Sequence, residues 1–312
     1  MQTQMPTQIR KKKNVKQLLF YISLVAYPLL QWTVMYLIVN FNSILLSFKD
    51  YTYDANGMLV EQFVGLKNII QVYIDLFTDP VFVYSWKNAT IFYVLSLIFG
   101  AGVSLLFSYY IFKKRLFAGF HRVILYLPHI VSGMVITIMY KYFCEKGYPA
   151  LVLMLTGQTV KGFSASLQTE FILILVYSSY IGCGANMLLY TGTMASISES
   201  VIEAAEVDGV NSFQEFWYII LPGIFPTFSL FMVTGMLTIF NGQGNLFNFY
   251  GEKAPEEFYT FGYYMFVQVQ RYVGDMVHYP YLASFGLSLT FFAIPLIFTG
   301  KWLLKKYGPK AD

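Results

Sequence analysis

The residues able to do chemistry fall in two places. The first is a carboxylate-rich stretch. Glu199, Glu203, Glu206, Asp208 and Glu215 lie within or beside EAAEVDGVNSFQEFWYIILPGIFP (203–226), in a chain whose charged fraction is only 12%. Carboxylates of this kind offer charge-assisted hydrogen bonds to basic groups, each worth about 1.5–3 kcal/mol. An Asp at the centre of a bilayer helix costs roughly 2.5–3.5 kcal/mol, so this stretch must face water or a partner. The second place is an apolar run, 171–195, seeded with Tyr177, Ser178, Ser179, Tyr180, Asn186, Tyr190, Thr191 and Thr193. Polar side chains inside an apolar run usually face the interior of a bundle.

Motifs for bond-making chemistry are missing. A nucleotide-cradling loop would read GxxxxGK[ST], yet the sole Gly-Lys pair, Gly300-Lys301, is followed by Trp302. HExxH, GxSxG and GxGxxG do not occur. His121, His129 and His278 are scattered, and His129 beside Pro128 reads as structural. Cys144 and Cys183 form no CxxC and lie in or beside apolar runs, so inert buried thiols are expected rather than a disulfide or a metal site. The expectation is a non-enzyme with no cofactor and no metal. Proton- or sodium-coupled carriers keep ionisable groups inside their spans, whereas here Lys141 and Glu170 fall at span ends.

The elements that must position these residues follow from composition. The chain has 312 residues, 56% hydrophobic and 19% aromatic, with mean hydropathy +0.53. Soluble domains carry roughly 25% charged residues, so this is read as an all-α polytopic membrane protein. Apolar runs of about 20 residues give six transmembrane helices, near 18–40, 88–112, 123–143, 171–195, 222–241 and 282–304. The basic flank IRKKKNVKQ and first run read as an uncleaved span rather than a signal peptide, because no small-x-small site closes the run. Lys and Arg set the orientation. Arg10, Lys11, Lys12, Lys13 and Lys16, then Lys113, Lys114, Arg115 and Arg122, then Lys301, Lys305, Lys306 and Lys310 crowd one side. That places both termini and the acidic loop in the cytoplasm. The outer segments are about 41–87, 144–170 and 242–281. Within the first, VGLKNIIQVYIDLF has helical apolar spacing, as either an amphipathic surface helix or a lid packed on the bundle.

The acidic loop has helix grammar of its own. Ser196-x-x-Glu199 and Ser212-x-x-Glu215 fit capping boxes, Gly209 supplies a break with positive φ, and Pro222 is expected to close the second element. Two short helices are expected, about 197–208 and 212–220. Ala204 and Ala205 would permit close approach, and Phe213, Phe216 and Trp217 are large anchors of the kind enriched at interfaces. A hairpin folded back on the bundle's own inner face fits the same residues equally well.

Glu203-Ala204-Ala205, Asp208-Gly209, Phe216 and Leu221-Pro222 together resemble the EAA motif of binding-protein-dependent ABC importer permeases of the type I fold. FKDY, FVGLKN, TDPVF, KNATIF and YLPHIVSG resemble the carbohydrate-uptake branch, with its maltose- and glycerol-phosphate-type permeases. The resemblance covers nearly the whole chain. Ser198 and Val210 stand where many relatives have Pro and Ala, and YIGCGANMLLY in the fourth span is less typical. The resemblance implies a cytoplasmic N-terminus, first span and first outer loop over 1–84, a core permease domain over 85–305, a coupling loop at about 197–222, and a cytoplasmic tail at 306–312. It implies that Glu203, Ala204, Ala205, Asp208, Gly209, Phe213, Phe216 and Pro222 couple the chain to a separate ATP-binding subunit. The implied partners are a second homologous permease, two ATPase copies and an extracytoplasmic solute-binding protein, in a bacterial cytoplasmic membrane and without nucleic acid.

The implied substrate is a sugar or oligosaccharide. An uncharged sugar wants hydroxyls, amides and aromatic faces. Tyr180, Asn186 and Tyr190 in the fourth run, and Asn241, Gln243 and Asn245 in FNGQGNLFNFY, are the candidate pathway residues; helix–helix hydrogen bonding accounts for the same residues. Two rivals stay open: an ABC permease for a peptide or polyol phosphate, and a non-ABC carrier or membrane enzyme that happens to own an acidic loop.

Overall fold

The computed structural model describes residues 15–309. Arg10, Lys11, Lys12, Lys13 and Lys310 lie outside the described residues. In chain order, helix α1 (Leu19–Leu46) is followed by the antiparallel hairpin β1 (Lys49–Tyr53) and β2 (Leu59–Phe63), then α2 (Lys67–Thr78). Next come α3 (Pro80–Phe112), α4 (Ala118–Ile130), α5 (Gly133–Thr156) and α6 (Leu167–Met194). The chain ends with α7 (Glu199–Val207), α8 (Ser212–Asn241), α9 (Leu246–Tyr250), α10 (Phe261–Arg271) and α11 (Tyr279–Tyr307).

Among the described residues, α1, α3, α6, α8 and α11 are long and apolar enough to cross a membrane, and the bent pair α4–α5 supplies a sixth crossing if counted as one span. Helix α1 shows why a bilayer is required: it is apolar on all sides and buries nothing in the protein, with Leu30 64% and Phe41 63% exposed. Helix starts follow local chemistry. Asp79 accepts from the Val81 N–H at 2.8 Å, with Pro80 in the first turn of α3. Ser166 caps α6 by accepting from the Thr169 N–H at 3.3 Å.

Two expectations about continuity fail. The run 123–143 is not one helix: α4 and α5 meet at 108°. Val131 and Ser132 are extended, with ψ 149° and 127°, and Pro128 weakens the last turn of α4. Each half is tied separately to α6. A side chain at Gly184 would collide with the Leu125 carbonyl of α4, and the Tyr180 hydroxyl donates to the Ile124 carbonyl at 2.9 Å. On the other half, Thr137 and Tyr177 share a hydrogen bond of 2.7 Å. Helix α5 then runs through residues expected to be loop, as far as Gly157 in the left-handed region (φ 72°).

Pro222 likewise does not end a helix. Residues Ser212–Asn241 are continuous, because a π-type turn at Phe216–Ile220 lies directly before the proline and absorbs its missing donor.

The remaining elements fix the bundle's two ends. The Ser284 hydroxyl of α11 donates to the Ser47 carbonyl at 3.1 Å, and Asn88 of α3, buried, donates to the carbonyls of Glu257 and Tyr259 at 2.7 and 3.0 Å. Helix α2 buries Ile69, Val72 and Leu76 and meets α11 through Tyr73 and Phe292, whose rings are 5.7 Å apart. It packs on the bundle by one face, while Ile70, Ile74 and Phe77 stand exposed on the other. At the opposite end lie the close of α3, all of α7, the start of α8 and the close of α11. There Leu105, Tyr190, Met194, Phe216, Ile220 and Ile224 form one of three apolar clusters.

Candidate coupling segment and polar cleft

Helix α7 projects beyond the spans and stops where its sequence says it must. Gly209 has φ +74°, the Gly209 N–H donates to the Glu206 carbonyl at 3.2 Å, and the Val210 N–H donates to the Ala205 carbonyl at 3.0 Å. That pair of bonds is a Schellman ending. The next helix opens on Asn211. Its side chain accepts from the N–H groups of Phe213 and Gln214 at 3.1 and 2.9 Å, and Gln214 answers by accepting from the Asn211 N–H at 3.1 Å. The capping box therefore sits one residue before the expected Ser212–Glu215 pair, and Ser198 rather than Ser196 precedes α7, without a side-chain cap.

Glu215 is displaced from capping because it is used elsewhere. It is 3% exposed, and its Oε2 lies 3.0 Å from Lys113 Nζ, which also lies 2.9 Å from Glu206 Oε1. Burial works against the Lys113 charge, but hydrogen bonding to Glu206 and Glu215 outweighs it and holds the ammonium above its usual range. Around this strap the Tyr109 hydroxyl donates to the Ser212 carbonyl at 3.0 Å and Arg115 donates to the Ser212 hydroxyl at 3.1 Å. The segment is thus bolted to the end of α3. Sequence reasoning missed this role: Lys113 and Arg115 were read only as orientation signals, and 93 residues separate Lys113 from Glu206, so no local pattern marks the pair.

The proposed coupling residues divide by direction. Glu203, Ala204, Asp208 and Gly209 are exposed, and Phe213 is 72% exposed beside Trp217 at 48%. Ala205 and Phe216 are buried at 6% and 7%, and the Phe216 ring lies 5.3 Å from that of Tyr109. Pro222 is half-buried in the wall of α8. One side of the segment therefore grips its own bundle while the other stands open.

A second site lies within the spans. A cleft of about 400 Å³ opens between α3, α6, the end of α8 and the turn at 242–245. Its polar lining includes Ser96, Ser178, Gln243, Asn245 and Asn248, with Phe92 and Phe247 as aromatic walls, and no ionisable side chain. The turn is held rigidly. Asn245, at φ +61°, donates to the Ser178 hydroxyl at 3.0 Å, and the Thr260 hydroxyl donates to the Gly242 carbonyl at 2.7 Å. A side chain at Gly244 would strike the Phe92 ring.

The six candidate pathway residues do not converge. Gln243 and Asn245 line this cleft, and Gln243 also borders an apolar groove that holds Asn241. Asn186 donates to the Gly100 carbonyl of α3 at 2.6 Å, and Gly100 borders the cleft. Tyr180 binds α4, as described. Tyr190 is fully buried in the cluster beside the coupling segment, its hydroxyl without a partner among the described residues. Ser178 and Asn248 complete the cleft. Ser178 was visible in the sequence as one polar residue among many of its run.

A multi-crossing helical bundle with an uncharged cleft among its spans and a projecting acidic helix has the architecture of a membrane transport subunit. The chain belongs to the family described as the binding-protein-dependent transport system inner membrane component, whose model matches residues 20–311. It is similar to the probable starch degradation products transport system permease protein AmyD of Thermoanaerobacterium thermosulfurigenes, 25% identical over 221 residues, covering 71% of this chain and 73% of that protein. It is also similar to the polygalacturonan/rhamnogalacturonan transport system permease protein YteP of Bacillus subtilis (strain 168), 26% identical over 227 residues and 69% of each chain. Its fold matches a chain in the crystal structure of a bacterial alginate ABC transporter in complex with alginate pentasaccharide-bound periplasmic protein. The TM-score is 0.72 at 18% identity, covering 97% of this chain and 100% of that one.

Proposed function

We propose that this chain forms half of the translocation pathway of an ATP-driven importer for an uncharged sugar or oligosaccharide. The observation that carries the substrate class is the cleft's lining: hydroxyls, amides and two phenyl walls, with no cation for a phosphate or carboxylate. The relative named for starch products supports a neutral saccharide, and the one named for polygalacturonan and rhamnogalacturonan supports an oligosaccharide but not its neutrality. Gln243 and Asn245 are the proposed sugar contacts. Asn186 and Tyr180 act behind them by tying α6 to α3 and α4, Tyr190 packs beside the coupling segment, and Asn241 borders the neighbouring apolar groove.

The engine is a separate cytoplasmic ATPase, docked on the open side of residues 199–217. Glu203 supplies the charge-assisted contact, Ala204 lets the partner approach, and Asp208 and Phe213 extend the surface. Gly209 makes the turn, while Ala205, Phe216 and the Lys113 strap hold the segment to the bundle. Pro222 lies just after the π-type turn through which motion enters α8. In this reading both termini and the acidic segment are cytoplasmic in a bacterial membrane, and residues 85–305 are the core permease domain. A second permease closes the cleft, and an extracytoplasmic binding protein delivers the sugar. ATP binding biases the pair between inward- and outward-open states.

Copurification tests the reading. Membranes containing the tagged chain should yield an ATPase subunit, and Glu203→Lys should lose it while the chain still inserts and unfolds at the wild-type temperature. Retention of a full complement of ATPase by Glu203→Lys would remove Glu203. Uptake of labelled neutral oligosaccharides by a deletion strain tests the substrate; selective loss of a charged solute instead would overturn the sugar assignment.

A further inference from the structure

Two helices of the bundle leave a groove between them that the transport reading does not use. Near the basic end, α8 and α11 close tightly at two levels. A side chain at Gly300 would strike Met236, and one at Gly308 would strike Phe225. Between these pinch points, about 12 Å apart along a helix rising ~1.5 Å per residue, the helices part. The resulting groove has a volume of about 510 Å³. Its walls are apolar, from Phe225, Leu230, Val233 and Leu304, and its rim carries Lys301 and Lys305. These lysines are four apart on α11 and so share a face. Both are exposed, and neither meets a carboxylate among the described residues.

The same level of α11 carries the marks of a membrane–water boundary. Trp302 is 55% and Tyr307 72% exposed, and Lys306 sits 4.7 Å above the Trp302 ring. Exposed aromatic and basic residues together mark the headgroup region. An apolar slot entered at headgroup depth between two ammonium groups matches a ligand with a hydrocarbon tail and an anionic head. We propose that the α8–α11 groove binds an anionic phospholipid, one acyl chain lying against Leu230 and Val233 and the phosphate held by Lys301 and Lys305. The site is independent of the substrate and of Glu203. A lipid there would wedge α8 against α11 just beyond Pro222.

The test is native mass spectrometry of the wild-type chain in its purified membrane assembly, delipidated and titrated separately with phosphatidylglycerol and phosphatidylcholine. One phosphatidylglycerol should bind at least tenfold more tightly than phosphatidylcholine. Lys301→Gln/Lys305→Gln should erase that preference, and Ser229→Trp, filling the groove, should block both lipids. Lys306→Gln, outside the groove, should leave binding unchanged. Equal affinity for the two lipids, an unaffected double variant, or an equal loss in Lys306→Gln would overturn the proposal. So would a wild-type assembly that takes up no lipid at all, which would mean that a companion subunit covers the groove.

Discussion

Lys113, at the end of the helix that crosses from residue 80, and Glu215, at the start of the helix that crosses back, meet at 3.0 Å with the carboxylate almost wholly buried. Glu206 joins the same ammonium from the projecting helix. Three elements therefore share one cation, and a push on residues 199–215 reaches α3 and α8 together.

Lys113→Met should be strongly destabilising, by about 3–5 kcal/mol, because it leaves Glu215 buried without its counter-ion. Lys113→Met/Glu215→Leu should recover most of that loss in thermal unfolding of the solubilised protein. ATP-driven uptake should stay impaired in the double variant, since the strap is gone. A double variant that transports normally would deny the strap a mechanical role.

Gly209 has open space around its α-carbon, so substitution there is resisted by backbone conformation alone. Gly209→Ala should cost about 1–2 kcal/mol, the usual penalty for an L-residue in the left-handed region, and Gly209→Asn should cost less. Melting temperatures of the three proteins should rank glycine, asparagine, alanine. Equal values for alanine and glycine would mean the turn is not held in this conformation.

In the polar cleft, the Gln243 amide makes no hydrogen bond among the described residues, whereas Asn245 is committed to Ser178. Gln243→Ala should raise the KM for uptake about two- to tenfold, the worth of one neutral hydrogen bond, without moving the melting temperature. Asn245→Ala should lower both affinity and stability, because it frees the turn.

Asn186 bridges α6 to the Gly100 carbonyl of α3. Asn186→Leu should cost about 1–3 kcal/mol in stability, from the carbonyl left unpaired. The assembly should remain intact, with uptake reduced in proportion to the protein lost. Unchanged stability together with altered sugar specificity would return Asn186 to the substrate path.

Much of this was written locally in the chain. Apolar run length gave the spans, and the Gly209 break with its flanking helices could be read from residue types alone. What escaped depended on partners distant in sequence. The bend at Val131–Ser132 rests on Gly184 and Tyr177 of another helix, so a continuous apolar run concealed it. Pro222 read as a helix stop, since a π-type turn has no sequence signature strong enough to predict its rescue. Phe216 and Phe213 are the same residue type three positions apart, yet one enters the core and the other faces outward. Only the docking of α8 on Tyr109 decides which. The β1–β2 hairpin was passed over because its two five-residue strands lie between spans, in a segment that hydropathy does not resolve.

The central claim is that the projecting acidic segment faces the cell interior and is covered by an energising partner. Cys144 and Cys183 are both buried, and Val207 is 87% exposed on α7, so Val207→Cys offers a single reporting thiol. A membrane-impermeant maleimide should label it in inside-out vesicles and not in right-side-out ones. Removal of peripheral subunits from the inside-out vesicles should increase labelling several-fold. Labelling from the outer face, or equal labelling with and without those subunits, would contradict the account.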